Sequence, residues 1–326
     1  MILAGIDEAG YGPILGPLSV ACCAVRLPGN DAASLEQAAI PDLWKLLRRC
    51  VAKKRDRTGR KLHINDSKQV YSPAAGLGEL ERSVLAWCTA ASGPCDCLDA
   101  LVRQTAPRVV EEMARVAWYA GHEGETHPAQ AGGPAVAISA NALKDECRRQ
   151  DISLLPPRAS LLMEESFNRM TAATRNKSSV LFSLAAEQID HLLKNHAAEG
   201  PLHIVCDRHG GRSHYGPLLR LMFEEWELTI LEETEAHYLL RQGEKVARLS
   251  FMEKADAGCL PTAMASMIAK YLRERLMGRF NAFWRQHEPE LKPTAGYWSD
   301  GLRFLEEIGP LRRRLRIEDE RLIRQR

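Results

Sequence analysis

The stretch Gly5-Ile6-Asp7-Glu8-Ala9-Gly10-Tyr11-Gly12-Pro13 decides how this chain is read. Two adjacent carboxylates close an apolar run, Ile2, Leu3 and Ile6, that reads as a buried strand. A glycine-rich turn follows at once. Gly10 and Gly12 allow a tight turn whose amides can come close to a phosphate. The acids therefore stand at a sheet edge and not in a core, an arrangement suited to metal-dependent phosphoryl transfer.

Working outward, residues 17–26 read as a second strand, joined to residues 1–8 through the turn as a hairpin. Leu202-His203-Ile204-Val205-Cys206-Asp207 repeats the first pattern, a short apolar strand ending in a carboxylate. Residues 226–231 and 246–252 read as further strands, with Gly243 in the turn region between them. Asp256 follows the last of these and precedes Pro261, a good first-turn residue for a long helix through Met264, Met267, Ile268, Tyr271, Leu272 and Leu276. Residues 178–195 read as an amphipathic helix, residues 74–149 as mostly helical with a break at 121–134, and the charged tail 312–326 as a terminal helix. Between Asp42 and Leu62 lies the densest cationic stretch, including Lys45, Lys53, Lys54, Arg55, Arg57, Arg60 and Lys61, which reads as helical. It is either a solvated face or an added surface for phosphate backbones.

Over the whole chain of 326 residues, 44 basic side chains nearly cancel 42 acidic ones to a net +2, so affinity for a polyanion must come from local patches. Nine cysteines, with no secretory signal and no bilayer-length apolar run, predict a reduced, cytoplasmic setting. Cys22 and Cys23 read as small buried apolar residues. Cys95 and Cys97 have no second pair at zinc spacing and read as loop.

Asp7, Glu8, Asp207 and Asp256 are far apart in sequence, yet one sheet could gather them at a single edge. Taken singly, each is more often a solvated carboxylate. Taken together, they would repel unless hard divalent cations intervened. Mg2+ or Mn2+ suits oxygen ligands unaccompanied by a His/Cys set, and two such ions roughly 3.5 to 4 Å apart support in-line hydrolysis of a phosphodiester. His209 and His214 read as polar surface residues and stay outside the site.

The segments Gly5–Pro13, Asn65-Asp66-Ser67-Lys68, Asp207, and Lys254-Ala255-Asp256-Ala257 continuing to Met277 resemble the ribonuclease HII family, the type 2 ribonucleases H. Gly296-Tyr297 and residues 305–313 add a fifth, weaker likeness. The resemblance implies a ribonuclease H-like α/β fold: a mixed sheet flanked by helices, with helical insertions and a C-terminal helical portion. By it, residues 1–75 and 158–280 form the catalytic core, 76–157 a helical insertion and 281–326 the C-terminal portion. It implies that Asp7, Glu8, Asp207 and Asp256 are catalytic metal ligands. Gly10, Tyr11, Gly12, Ser67, Lys68, Lys254 and Tyr297 would then contact substrate, the turn amides at the 2′-hydroxyl that separates RNA from DNA. The implied activity is endonucleolytic cleavage of the RNA strand of RNA/DNA hybrids, or of ribonucleotides within duplex DNA, leaving a 5′-phosphate and a 3′-hydroxyl. The alternative is a nucleic-acid-binding protein of the same fold whose cleavage is lost or altered.

Three departures accompany the likeness. Tyr11 stands where the family typically has arginine, which removes a guanidinium fork from the turn. Gly258 and Cys259 replace a basic or polar residue and a serine. The chain is also much longer than a minimal member, and 49 positions separate Asp207 from Asp256.

Overall fold

The computed structural model describes residues 1–29, 35, 39–121, 125–232 and 236–325. Parts of the predicted break at 121–134 and of the predicted tail at 312–326 lie outside the described residues. Strands β1 (Ile2–Ala9) and β2 (Leu18–Arg26) pair antiparallel from Ile2 opposite Arg26 to Ala9 opposite Ser19, as the hairpin reading expects. The cationic stretch departs from its helical reading. It holds only one helical turn, α1 (Leu43–Leu46), and then a short parallel pair, β3 (Val51–Ala52) and β4 (Leu62–His63), with an exposed loop between. The Asp56 carboxylate explains the loop by accepting the amides of Thr58, Arg60 and Lys61, which a helix would need for itself.

Helix α2 (Ser67–Val70) precedes the helical region, which comprises α3 (Gly78–Ser92), α4 (Leu98–Thr105), α5 (Val110–Arg115) and α6 (Gly133–Arg149). Cys97 serves as the N-cap of α4, in keeping with the loop reading of its Cys-x-Cys segment. Two strands that the sequence pattern does not announce follow, β5 (Ser153–Leu154) and β6 (Arg158–Leu162), both laid along β2. Then come α7 (Glu164–Thr174), α8 (Lys177–His196) and β7 (Leu202–Asp207). Helix α9 (Gly216–Met222) leads to an antiparallel ribbon of β8 (Glu227–Glu232), β9 (His237–Gln242) and β10 (Lys245–Met252), of which β9 is a further unannounced strand. Helices α10 (Ala255–Gly258), α11 (Leu260–His287), α12 (Trp298–Glu307), α13 (Gly309–Arg314) and α14 (Asp319–Leu322) complete the described chain.

Eight strands form one mixed sheet in the order β5-β2-β1-β7-β10-β9-β8, with β6 also on β2. Its parallel pairings are β1 with β7 and β7 with β10, side by side at its centre. Alternation along these strands feeds two cores. Leu3, Cys23 and Val205 pack with α11, α3 and α6 on one face, while Ile2, Ala4, Ile6 and Cys206 pack with α8 on the other. Both faces are covered, so the central strands are apolar nearly throughout. Each such aliphatic side chain contributes about 1.5 to 3 kcal/mol by leaving water.

Gly5 sets the distance between sheet and helix. A Cβ there would sit 2.0 Å from the Thr262 amide nitrogen and 2.3 Å from the Pro261 carbonyl carbon, so only glycine lets the start of α11 lie directly on β1. That approach brings α10, and Asp256 with it, to the carboxyl ends of β1 and β7.

Candidate carboxylate site

The register of the parallel pair places the first two acids. Ile6 lies opposite Cys206, so Asp7 and Asp207 are the next residues on neighbouring strands and continue the face of Leu3 and Val205 toward α11. Met252, the last residue of β10, lies opposite Asp207, and the chain turns there into α10, delivering Asp256. Lys254 makes this turn in the left-handed region, at φ 54°. The Asp207 carboxylate holds the turn by accepting the Ala255 amide at 2.9 Å. Asp7 Oδ1 likewise accepts the Glu8 amide at 2.7 Å.

The four predicted acids are linked through Asp207, whose charge acts on Asp7, Glu8 and Asp256. Burial, then the charges of Glu8 and Asp207, push the Asp7 carboxyl well above the usual carboxylate range. Burial, then Asp207, raise Glu8 to about 7. Burial also raises Asp207, and with the charges of Asp66 and Asp207 it carries Asp256 to about 6. Lys68, exposed on α2, draws Glu8, Asp207 and Asp256 the other way. Glu8 Oε2 is buried without a hydrogen-bond partner. Among the described residues no three His, Cys, Asp or Glu side chains close into a ready-made ion cage. Even so, the donor set of hard oxygens and an orphaned buried carboxylate oxygen fit Mg2+ or Mn2+ in character.

Asp66 is the acid that sequence reasoning passed over. Its carboxylate accepts the Lys68 amide at 3.0 Å and caps α2, and its charge reaches both Asp207 and Asp256. The signal was present in Asn65–Lys68, but an Asp before a helical turn reads first as a cap. Ser67 is buried, within 3.2 Å of the Ser266 hydroxyl, which also bonds Asp7. Its place is thus beneath the acids, bridging α2 to α11. Lys254 gives Asp207 its backbone amide, while its own side chain is exposed. His209 corrects its surface reading. It is buried among Phe182, Tyr215 and Phe251, and burial lowers its imidazole to about 4.

The glycine turn is gripped from below by two buried guanidinium groups. Arg273 of α11 donates to the carbonyls of Pro17 at 2.6 Å, Leu15 at 3.0 Å and Ala295 at 3.0 Å. Arg324 donates to the carbonyls of Gly10, Tyr11 and Gly16, while its own amide reaches the Ile14 carbonyl at 2.8 Å. Glu164 Oε1 accepts the Gly16 amide at 3.0 Å and the Tyr119 hydroxyl at 2.7 Å. Gly10 adopts φ 88°, and a Cβ there would meet the Pro17 carbonyl oxygen at 2.6 Å, whereas a Cβ on Gly12 would meet nothing within 4 Å. Gly10 is therefore needed for the fold of the turn, and Gly12 leaves its outer side open. The Gly296 carbonyl accepts the Ile14 and Leu15 amides, which sets the exposed Tyr297 beside the same turn.

Neither a family model nor a curated protein matches the chain. Solved structures similar to it include RNase HII of Archaeoglobus fulgidus, determined as a complex with PCNA, at 17% identity and a TM-score of 0.44, over 100% of this chain and 95% of that one. Ribonuclease H2 of Pyrococcus horikoshii OT3 is similar at 16% identity and a TM-score of 0.45, over 99% and 92% of the two chains. Bst-RNase HIII in complex with Mn2+ is similar at 15% identity and a TM-score of 0.46, over 99% and 66%.

Proposed function

We propose that the protein is a divalent-metal-dependent endonuclease that hydrolyses the RNA strand of RNA/DNA hybrids, or ribonucleotides embedded in duplex DNA, leaving a 5′-phosphate and a 3′-hydroxyl. The observation that carries this reading is the gathering of Asp7, Glu8, Asp207 and Asp256 at the carboxyl ends of parallel central strands, where burial raises every one of them and the charge of Asp207 adds to the rise of the other three. Such a cluster is costly to fold unless cations neutralise it.

These four acids would hold Mg2+ or Mn2+, which when bound supplies Lewis acidity at the phosphodiester. The chain's own groups do the rest. Lys68 sets a compact positive charge beside three of the acids, where it can meet a phosphate oxygen. Asp66 fixes the helical turn from which Lys68 projects. Gly10 and Gly12 offer amides for the 2′-hydroxyl and adjoining phosphate, held in place by Arg273 and Arg324. Tyr297 offers an exposed ring to a sugar or base at the same turn.

Tyr11 supports a second reading, in which hydrolysis is kept and the preferred substrate changes, because the turn carries no cation of its own. Purified protein incubated with matched all-RNA-strand hybrid, single-ribonucleotide and all-DNA duplexes, in Mg2+ and in Mn2+, separates the two. Metal-dependent cleavage confined to the ribonucleotide-containing duplexes supports the first, and cleavage of the all-DNA duplex the second. Intact duplexes in both metals across a range of pH would sink both and favour a binding protein.

A further inference from the structure

We propose that Lys177, Arg212 and Tyr11 form a second phosphate step beside the carboxylates, gripping a backbone phosphate that adjoins the diester to be cleaved. The proposal rests on the nuclease reading above and deepens it. Three elements meet at this point. Tyr11 follows Gly10 in the turn and is half-buried, with the Lys177 ammonium 4.8 Å from the centre of its ring. The loop after β7 folds back over the same ring through two left-handed glycines, Gly210 at φ 54° and Gly211 at φ 79°. A Cβ on Gly210 would lie 3.6 Å from Tyr11 Cε1, so this loop faces the tyrosine ring.

Arg212 ends that loop. Its Nη2 donates to Ser178 Oγ at 2.6 Å and ties the loop to the first turn of α8, beside Lys177. Its Nε is buried and has no hydrogen-bond partner. Asn176 already satisfies the first amides of α8 by accepting from Ser178 and Ser179, so any anion here would be met by side chains and not by the helix end. The charges of Glu8, Arg212 and Arg324 all reach the Tyr11 phenol.

Chemically, the group combines a compact ammonium, a planar guanidinium with an unused N–H and an aromatic face. These are the parts that bind a phosphodiester and cover its sugar. Tyr11 brings no charge, so the cationic contacts to a phosphate beside this turn would come from Lys177 and Arg212, carried by two other elements.

The test compares wild type with the double variant Lys177→Gln/Arg212→Gln on single-ribonucleotide duplexes in which each phosphate in turn is a neutral methylphosphonate. For the unmodified duplex, KM is expected to rise about tenfold and the slope of log KM against log salt to fall by about 1 to 2, with kcat nearly unchanged. One methylphosphonate should raise KM in wild type and leave the double variant unaffected. An unchanged KM and an identical methylphosphonate profile would overturn the proposal. Ser178→Ala removes the loop anchor and keeps both charges. A wild-type-like KM there assigns the effect to charge, and a rise as large as in Arg212→Gln overturns the proposal in favour of a structural role. If wild type cleaves no duplex, the nuclease reading is what fails. Metal-free binding of the same duplexes then decides this proposal, with equal affinity and salt slope in the double variant counting against it.

Discussion

Two acid-rich regions sit on the same face of the sheet and treat buried carboxylates in opposite ways. Glu81 of α3 is fully buried, and burial alone would raise its carboxyl. The amides of Ala131, Ala129 and Gln130 and the Tyr271 hydroxyl outweigh that and hold it below the usual range. Arg275 pairs with it at 3.1 Å and with Glu125 at 2.9 Å, and Arg279 joins Glu125 to Asp99, each at 2.7 Å. Asp7 is also buried, but beyond the Ser266 hydroxyl and the Glu8 amide the charges acting on it are other acids, and Glu8 Oε2 beside it has no hydrogen-bond partner. Burial is common to both regions. What differs is compensation: the Glu81 network is answered by donors within the protein, while the Asp7 cluster keeps raised carboxyls and an unpartnered Glu8 Oε2, which on the proposed reading a bound cation would offset.

The sharpest way to break this contrast is to neutralise one acid in each region. Asp7→Asn and Asp256→Asn are expected to lower turnover by at least about a hundredfold, the scale of losing one charge-stabilising group. Because they relieve repulsion, they should leave thermal stability unchanged or raised. Cleavage rates and melting curves check both, and a collapse of the fold would place Asp7 in the structural class. Glu81→Gln should do the reverse. Breaking one partner of a buried pair costs about 3 to 5 kcal/mol, read by denaturant unfolding, while turnover per folded molecule stays at its wild-type level.

Glu164 offers an intermediate case, because burial raises it to about 7 although two neutral groups donate to it. Here the folded protein keeps a proton that the unfolded chain has already released. The stabilisation is whole below about 4.5 and declines as pH rises toward 7. The loss amounts to about 3 kcal/mol at most. Unfolding followed from pH 4.5 to pH 7 should show the decline, and Glu164→Gln, which keeps an acceptor for both donors, should lessen it, the raised Asp7, Glu8 and Asp256 supplying the remainder. The smallest effect is expected from reversing Arg55, Arg57 and Arg60 in the exposed loop between β3 and β4. Lys53 of that loop donates to the Ala257 carbonyl next to Asp256, which puts the loop at the edge of the acid cluster. If it tracks phosphates, the salt slope of hybrid binding should fall by roughly 0.9 for each phosphate no longer neutralised, with kcat retained. An unchanged slope would make it a solvated face.

The parts of this molecule that sequence makes legible are those written locally. An apolar run ending in Asp7 or Asp207, a proline opening α11 and a glycine-flanked turn each carry their meaning within a few residues. Strand β6 was hidden because Arg158-Ala159-Ser160-Leu161-Leu162 has little β-branched character and is a strand only through pairing with β2. Asp66 was hidden behind its capping role. Arg273 and Arg324 reach backbone carbonyls more than 250 positions away, and no spacing rule encodes such a contact. The Glu81 network is equally invisible, since its amide donors come from a loop 48 to 50 positions along the chain.

The reach of Arg324 also bears on synthesis. A nascent chain halted before that residue already contains Asp7, Glu8, Asp207, Asp256 and the eight described strands, yet lacks the guanidinium that holds the carbonyls of Gly10, Tyr11 and Gly16. The turn at Gly10 to Gly16 is thus locked by a residue more than 300 positions further along the chain. A fragment still being translated therefore carries the acids without the guanidinium that finishes the turn beside them.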